Sequence, residues 1–289
     1  MSSNPVFSDL AGWQAFPAPA KLNLFLHIVG RRVDGYHLLQ SVFQLIDYGD
    51  TLYLRVRADG EVMHHNPLPD VPAESDLIVR AARLLQAETG CSLGVDLGIT
   101  KRLPMGGGLG GGSSDAATVL LALNRLWQLG LSRQRLMDIG LKLGADVPFF
   151  IYGRNAFVEG IGEIMTPVET PAGWFAVVHP GVHVPTPAIF KADDLVRDTP
   201  PIAAQDIDYA AVRNDMEPVA CRLFPEIAAV REWLGQTLPA RMTGSGACLF
   251  AFDASQTEIV HVISRLPDGA TGFAAKAISR HPLYELAVD

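Results

Sequence analysis

The stretch Pro104-Met-Gly-Gly-Gly-Leu-Gly-Gly-Gly-Ser-Ser-Asp115 constrains this 289-residue chain more than any other, because half of it is glycine and a helix pattern follows at once. Glycine accepts φ > 0 and has no Cβ, so successive amides can turn inward and approach a ligand closely. Behind the loop, Ala116, Val119, Leu120, Leu123 and Trp127 form the apolar stripe of a helix running to about Leu129 and ended by Gly130. Ser113, Ser114 or Asp115 is expected to cap that helix. Free amides and the positive end of the helix dipole then face the loop, which suits an anion, with a phosphate chain as first candidate.

Other readings of the loop compete with this one. A flexible linker is seldom flanked by a strand pattern and an apolar-faced helix. The ordinary P-loop is excluded, since Gly111-Gly112-Ser113-Ser114 carries no lysine. Gly106, Gly108 and Gly111 match the dinucleotide fingerprint G-x-G-x-x-G literally, after a strand-like run at 95–100. The acidic residue expected about twenty positions on is missing, as residues 126–135 contain no Asp or Glu.

With 48% hydrophobic and 19% charged residues, no long apolar run and no cleavage pattern at its start, the chain reads as a soluble cytoplasmic protein of two domains. Residues 1–16 read as a loose tail. Cys91, Cys221 and Cys248 lack the spacing of a disulfide framework or zinc site and read as buried apolar residues. A net charge of −8 gives no general attraction to nucleic acid or anionic membrane, so phosphate binding must be local to a loop or pocket.

Residues 20–29 alternate as a half-buried strand, with Leu22, Leu24, Leu26 and Ile28 on one face and Lys21, Asn23, Phe25 and His27 on the other. Lys21 and Asn23 therefore point the same way, into solvent or into a site. Asp34-Gly35 marks a turn before Tyr36-His37, a ring pair that can pack or grip a flat base. Residues 38–46 form a mixed run, 51–57 alternate again, and Ala58-Asp-Gly60 predicts a hairpin. A proline-rich loop over 64–73 contains His64 and His65, read as surface residues because chain neighbours on an extended backbone diverge. Helices are expected over 76–88, with Ser75 as cap and Gly90 as stop, and over 133–143, with Ser132 as cap and Gly144 as stop.

Asp146-Val-Pro148 opens a short helix, where the aspartate has a capping reading beside a chemical one. Composition shifts near 155–162, which places the domain boundary there, dividing the chain into 1–155 and 156–289. A strand at 174–179, an extended proline loop at 180–187, and a helix over 214–234 capped by Asn214 or Asp215 and divided by Pro225 follow. A second glycine turn, Thr243-Gly-Ser-Gly-Ala247, enters a strand at 248–252. A helix with the capping box Ser255-x-x-Glu258 and a closing strand at 284–287 complete the chain.

Taken together, Ala18-Pro-Ala-Lys-Leu-Asn-Leu24, the Pro104–Asp115 loop and Thr243–Ala247 resemble, in order, the three motifs of the GHMP small-molecule kinases, which act on homoserine, mevalonate and galactose. Asp34-Gly-Tyr-His37, Gly144-Ala-Asp-Val-Pro148, Pro185-Thr-Pro-Ala-Ile-Phe190 and Asn214-Asp-Met-Glu-Pro218 resemble the branch that phosphorylates a cytidine-diphosphate-linked methylerythritol in the non-mevalonate route to isoprenoids. Residues 1–16 and 191–212 match nothing usable. The resemblance implies an α+β two-domain fold: an N-terminal domain with a left-handed βαβ crossover, a C-terminal α/β sandwich, and the active site in the cleft between them.

It further implies ATP with Mg²⁺ as phosphoryl donor and the 2-hydroxyl of the cytidyl compound as acceptor, in a monomer or weak homodimer. Asp146 is then the base on that hydroxyl, and Lys21 beside it favours the carboxylate and stabilises developing charge. Residues Pro104, Met105, Gly106, Gly107, Gly108, Leu109, Gly110, Gly111, Gly112, Ser113 and Ser114 hold the nucleotide, with Ser113 or Ser114 as magnesium ligand. Asn23 orients the acceptor, Tyr36 and Phe190 sandwich the cytosine, His37 bonds its edge, and Thr186, Gly244 and Ser245 complete the acceptor site. The rivals are a sibling kinase for mevalonate, homoserine or a sugar, for which an aromatic clamp makes little sense, and a dinucleotide-dependent oxidoreductase.

Overall fold

The alternating residues at 20–29 form a strand, but a longer and more deeply buried one than their pattern implies. In the computed structural model, which describes residues 11–33, 35–69, 71–72 and 74–289, strand β1 (Gln14–Arg31) begins inside the expected tail. Both of its faces are covered, so Lys21, Asn23 and His27 are as buried as the leucines between them. Residues 1–10 of that tail lie outside the described residues, as do Asp34 of the predicted turn and residues 70 and 73 of the proline-rich loop.

Strand β2 (His37–Arg57) pairs antiparallel with β1 and fuses the mixed run and the alternating run into one element. The turn after it is not a hairpin. Strand β3 (Val62–His64) passes to the far side of β4 (Gly94–Thr100) and runs parallel to it, while β4 itself lies antiparallel against β2. Helix α1 (Leu77–Thr89) makes this β–α–β crossover; Asp76, not Ser75, is its cap, accepting from the Ile78 amide, and left-handed Gly90 stops it.

Helices α2 (Gly111–Leu126), α3 (Arg133–Leu141) and α4 (Val147–Tyr152) complete the first core, around Leu52, Leu54, Leu97, Leu120 and Phe149. Ser132 caps α3 as expected, accepting from the Arg135 amide. Strands β5 (Ala156–Gly160) and β6 (Ile164–Pro167) attach to β2, so the sheet of the first half reaches past residue 155 to Pro167.

The second half holds β7 (Trp174–His179), α5 (Thr186–Lys191), α6 (Glu217–Leu223), α7 (Pro225–Gly235), β8 (Ala240–Met242), β9 (Leu249–Asp253), α8 (Gln256–Ile263) and β10 (Thr271–Ile278). Its strands are antiparallel in the order β10-β7-β9-β8, and β10 joins β2 through Ala277 and Ile278. Pro225 divides the helix as predicted, but Met216 takes the cap position, and Ser255 makes no side-chain capping bond. Residues Tyr284–Leu286 form a 3₁₀ turn in place of the expected closing strand, which lies earlier, at β10. Cys248 is buried, whereas Cys91 and Cys221 are only half-buried; all three are free thiols.

A separate apolar cluster, with Leu22, Phe25, Leu103, Phe175 and Phe250 at its centre, joins the two halves. The pairing of β4 with β2 is antiparallel, so the strand before the glycine loop does not sit in the parallel sheet that a dinucleotide fold requires. Among the described residues no helix is long and apolar enough to cross a membrane.

Candidate active site

Lys21 and Asn23, two residues apart on β1, share one face, as the strand period dictates. They are only 3% and 2% exposed, and the Lys21 ammonium donates to Asn23 Oδ1 at 2.5 Å. It lies 3.5 Å from Asp146 Oδ2 and 4.7 Å from the centre of the Phe43 ring. The Asn23 side-chain amide donates to Ser41 Oγ, which in turn donates to the Phe25 carbonyl, so the pair is held from below. Asp146 stands at the start of α4 with helical φ and ψ and makes no capping bond. Its carboxylate, 33% exposed, is therefore left to Lys21 and the cavity in front of it.

Three glycines of the loop, Gly106, Gly108 and Gly110, adopt positive φ. A side chain would crowd a neighbour at each of them, a Cβ on Gly106 lying 2.5 Å from His183 Nδ1. A Cβ on Gly108 would lie 2.2 Å from the Thr243 carbonyl oxygen, and one on Gly110 would lie 2.9 Å from Phe150 and 3.2 Å from Lys21 Cγ. Gly110 caps α2, so Ser113, Ser114 and Asp115 fall inside its first turns and do not cap it. Ser114 is fully buried and its hydroxyl donates to the Pro19 carbonyl at 2.6 Å, which ties α2 to β1. Ser113 remains at the cavity wall.

Asp50 Oδ1 accepts the Arg102 and Leu103 amides and so fixes the chain entering the loop. Lys101 bridges Asp50 at 2.5 Å and Asp115 at 2.8 Å. Burial, offset only in part by Lys101, pushes the Asp115 carboxyl up to about 7.

The three motifs meet through one hydroxyl. Thr243 Oγ1 accepts the Asn23 amide at 2.9 Å and donates to the Gly108 carbonyl at 3.2 Å, while Lys21 N–H donates to the Leu109 carbonyl at 3.0 Å. Asn214 holds the turn from behind, donating to the Met242 and Gly244 carbonyls at 2.8 Å each. Glu217 accepts the Met242 amide at 2.6 Å. Thr243, Glu217, Ser41 and Phe43 were not among the residues assigned roles from the sequence, and Asn214 was read there only as a helix cap. For Thr243 and Asn214 the signal was available, since both are hydrogen-bonding residues inside quoted motifs, Thr243 directly before a glycine.

Two cavities open on either side of Gly108 and Gly110, which line both. The larger, of about 390 Å³, is framed by Pro104 to Ser113 and faced by an apolar wall including Leu68, Val71 and Ile78. His64 lines it too, its side chain buried and bonded to Asp76 at 2.7 Å, so it is not the surface residue expected. The second, of about 260 Å³, brings together Lys21, Asn23, Asp146, Thr186, Phe190, Gly244 and Ser245, with Thr186 and Ser245 hydroxyls 2.7 Å apart.

Tyr36 and His37 line neither cavity. Tyr36 is 63% exposed, and the His37 ring stacks on Phe190 at 4.7 Å and 21°. Arg197 donates to His37 Nε2 at 3.3 Å. Burial, followed by the nearby Arg197 and Arg31 charges, lowers the His37 pKa, which favours the neutral ring. Phe190 thus reaches the cavity, with the His37 ring stacked against it.

Residues 76–154 match the family model "GHMP kinases N terminal domain" and residues 202–270 match "GHMP kinases C terminal". The chain is 59% identical over 278 residues to a 4-diphosphocytidyl-2-C-methyl-D-erythritol kinase of Ralstonia pickettii, covering 94% of this chain and 96% of that protein. It superposes with a TM-score of 0.81 on a crystal structure of 4-(cytidine 5'-diphospho)-2C-methyl-D-erythritol kinase, at 33% identity over 91% of this chain and 99% of that one. A homoserine kinase from Cytophaga hutchinsonii shares the fold, with a TM-score of 0.71 at 17% identity over 96% and 99% of the two chains.

Proposed function

The chain belongs to the GHMP kinases, in the line of the 4-diphosphocytidyl-2-C-methyl-D-erythritol kinases, and from that premise we propose that it transfers the γ-phosphate of ATP to the 2-hydroxyl of 4-diphosphocytidyl-2-C-methyl-D-erythritol. The observation that carries this reading is the junction of the two cavities. The glycine loop frames the first, the Lys21–Asp146 pair stands in the second, and only Gly108 and Gly110 lie on both. ATP in the first cavity would direct its terminal phosphate at an acceptor hydroxyl in the second.

The chemistry asked of the chain is positioning and charge stabilisation. Asp146 accepts the hydroxyl proton, and Lys21, held by Asn23, offsets the charge that develops at the transferred group. Loop amides and the first turn of α2 bind the phosphates. Thr186, Gly244 and Ser245 hold the acceptor, and the cytosine stacks on Phe190, with Tyr36 closing over it and His37 bonding its edge once His37 gives up its place on that ring.

Among the described residues no cluster of three His, Cys, Asp or Glu side chains is arranged to hold a metal, which suits magnesium arriving on the nucleotide's own phosphates, with the Ser113 hydroxyl as the protein ligand. Held there, magnesium would supply charge neutralisation to the nucleotide's phosphates. We place the enzyme in the cytoplasm, where ATP is available, as a monomer or weak homodimer. A positioned base contributes a factor of roughly 10² to 10⁴ in rate. Asp146→Asn should therefore lower kcat by at least the smaller of those factors with an unchanged far-UV spectrum and Tm; near-normal turnover would remove Asp146 from the mechanism.

A further inference from the structure

Behind the catalytic strand lies a third cavity, of about 450 Å³, that shares no lining residue with the two active-site cavities. Leu24, Phe175, Tyr209, Arg241, Phe250 and Phe252 form its walls. At the bulge in β1, Leu24 lines this cavity while its neighbour Asn23 lines the acceptor cavity, and Arg241 comes just before the Thr243 turn. This cavity and the acceptor cavity are thus back to back across β1 and the end of β8.

Its walls are aromatic, with Phe175 set 5.8 Å from Phe250 and 5.2 Å from Phe252. Its one charged lining residue is Arg241. The Arg241 guanidinium donates to the Leu24 and Tyr209 carbonyls, which engages two of its five N–H groups. Among the described residues no carboxylate forms an ion pair with it, and Glu217, the acid whose charge reaches it, is paired with Arg231. Burial lowers the Arg241 pKa from its ordinary value, and the Glu217 charge offsets this only in part. A half-buried cation with unused donors, set among phenyl rings, complements an anionic group carried on a flat apolar body.

We infer that this cavity is a second small-molecule site, taking an aromatic monoanion whose rings lie among Phe175, Phe250, Phe252 and Tyr209 and whose charge meets Arg241. The probe is anilinonaphthalene sulfonate, titrated against the full chain by fluorescence beside phenylnaphthylamine, the same ring system without the sulfonate. The expected result is saturable binding at one site, roughly tenfold or more tighter for the anion than for the neutral dye, as a charge-assisted hydrogen bond implies. Saturating ATP or cytidine diphosphate should not displace the dye. Ala210→Trp, at the exposed rim, should weaken the dye at least about tenfold while leaving phosphoryl transfer and Tm unchanged. Absence of saturable binding, equal affinity for both dyes, displacement by either nucleotide, or undiminished binding to a folded Ala210→Trp would each overturn the inference. The comparison of charged and neutral dyes on the unaltered chain stands whether or not that variant folds, and none of these readouts depends on which acceptor the kinase uses.

Discussion

Replacing Thr243 with valine changes the shape of the site least and its hydrogen bonding most. The substitution keeps the volume and the β-branch but removes the hydroxyl that accepts the Asn23 amide and donates to the Gly108 carbonyl. Asn23 is 2% exposed and Thr243 fully buried, so the amide loses its partner where water cannot replace it, a cost of about 1–3 kcal/mol. The Gly108 carbonyl is less costly to strand, since it borders a cavity and has a second lone pair. We expect a net loss near 2 kcal/mol, seen as a fall of several degrees in Tm. Activity should suffer more than stability suggests. Asn23 accepts the Lys21 ammonium, and Lys21 faces Asp146, so a displacement of about 1 Å at Asn23 is enough to cost roughly 10²-fold in rate. Steady-state kinetics should show kcat down roughly 10- to 100-fold, on that same misplacement argument, and Thr243→Ser, which retains the hydroxyl, should recover most of it. If valine leaves kcat and Tm unchanged, or serine is as damaged as valine, the hydroxyl does not align these motifs.

Three further outcomes follow from the same geometry. Ser114→Ala should lower stability by about 1 kcal/mol through loss of its bond to Pro19, with little change in magnesium dependence, whereas Ser113→Ala should raise the magnesium concentration needed for half-maximal rate and leave Tm alone; the reverse pattern would exchange their roles. Gly108→Ala places a Cβ 2.2 Å from the Thr243 carbonyl at a left-handed φ, so it should reduce kcat/KM for ATP by more than tenfold; a variant with normal kcat/KM would show that the contact yields freely. Asp115, raised from 3.8 to about 7 by burial, keeps a proton on folding that the unfolded chain releases. Its contribution to stability is fully present below pH 3.8 and is lost as pH rises to about 7, so Asp115→Asn should flatten the decline of unfolding free energy with pH across that window. An identical pH slope in the variant would contradict the assignment.

The parts of this fold legible in the sequence are those written in local chemistry. The glycine loop, the Ser132 cap, the Gly90 stop and the break at Pro225 all follow from backbone preferences that tertiary packing did not override. Strand β10 was not legible, because Thr271-Gly-Phe-Ala-Ala-Lys-Ala-Ile278 carries small residues and a glycine in place of an alternating apolar pattern, and its pairing with β7 and β2 makes it a strand. The burial of Lys21 and Asn23 was equally hidden: a period of two identifies a face, not what covers it, and here the glycine loop and the Thr243 turn do so from far along the chain. Asp146 shows the converse. Its position before Val-Pro fits a capping role, yet the side chain makes no cap bond and faces Lys21. The stack of His37 on Phe190 follows from the approach of β2 to α5 and has no counterpart in the local sequence.

The most direct measurement is transfer of labelled γ-phosphate from ATP, with magnesium, to 4-diphosphocytidyl-2-C-methyl-D-erythritol beside mevalonate, homoserine and galactose, using the unaltered chain and Asp146→Asn. Labelling of the cytidyl compound alone, abolished or reduced at least about 10²-fold in the variant, is the result predicted by the Lys21–Asp146 pair and the cavity that holds it. Labelling of another acceptor in its place, or undiminished transfer by Asp146→Asn, would contradict the account.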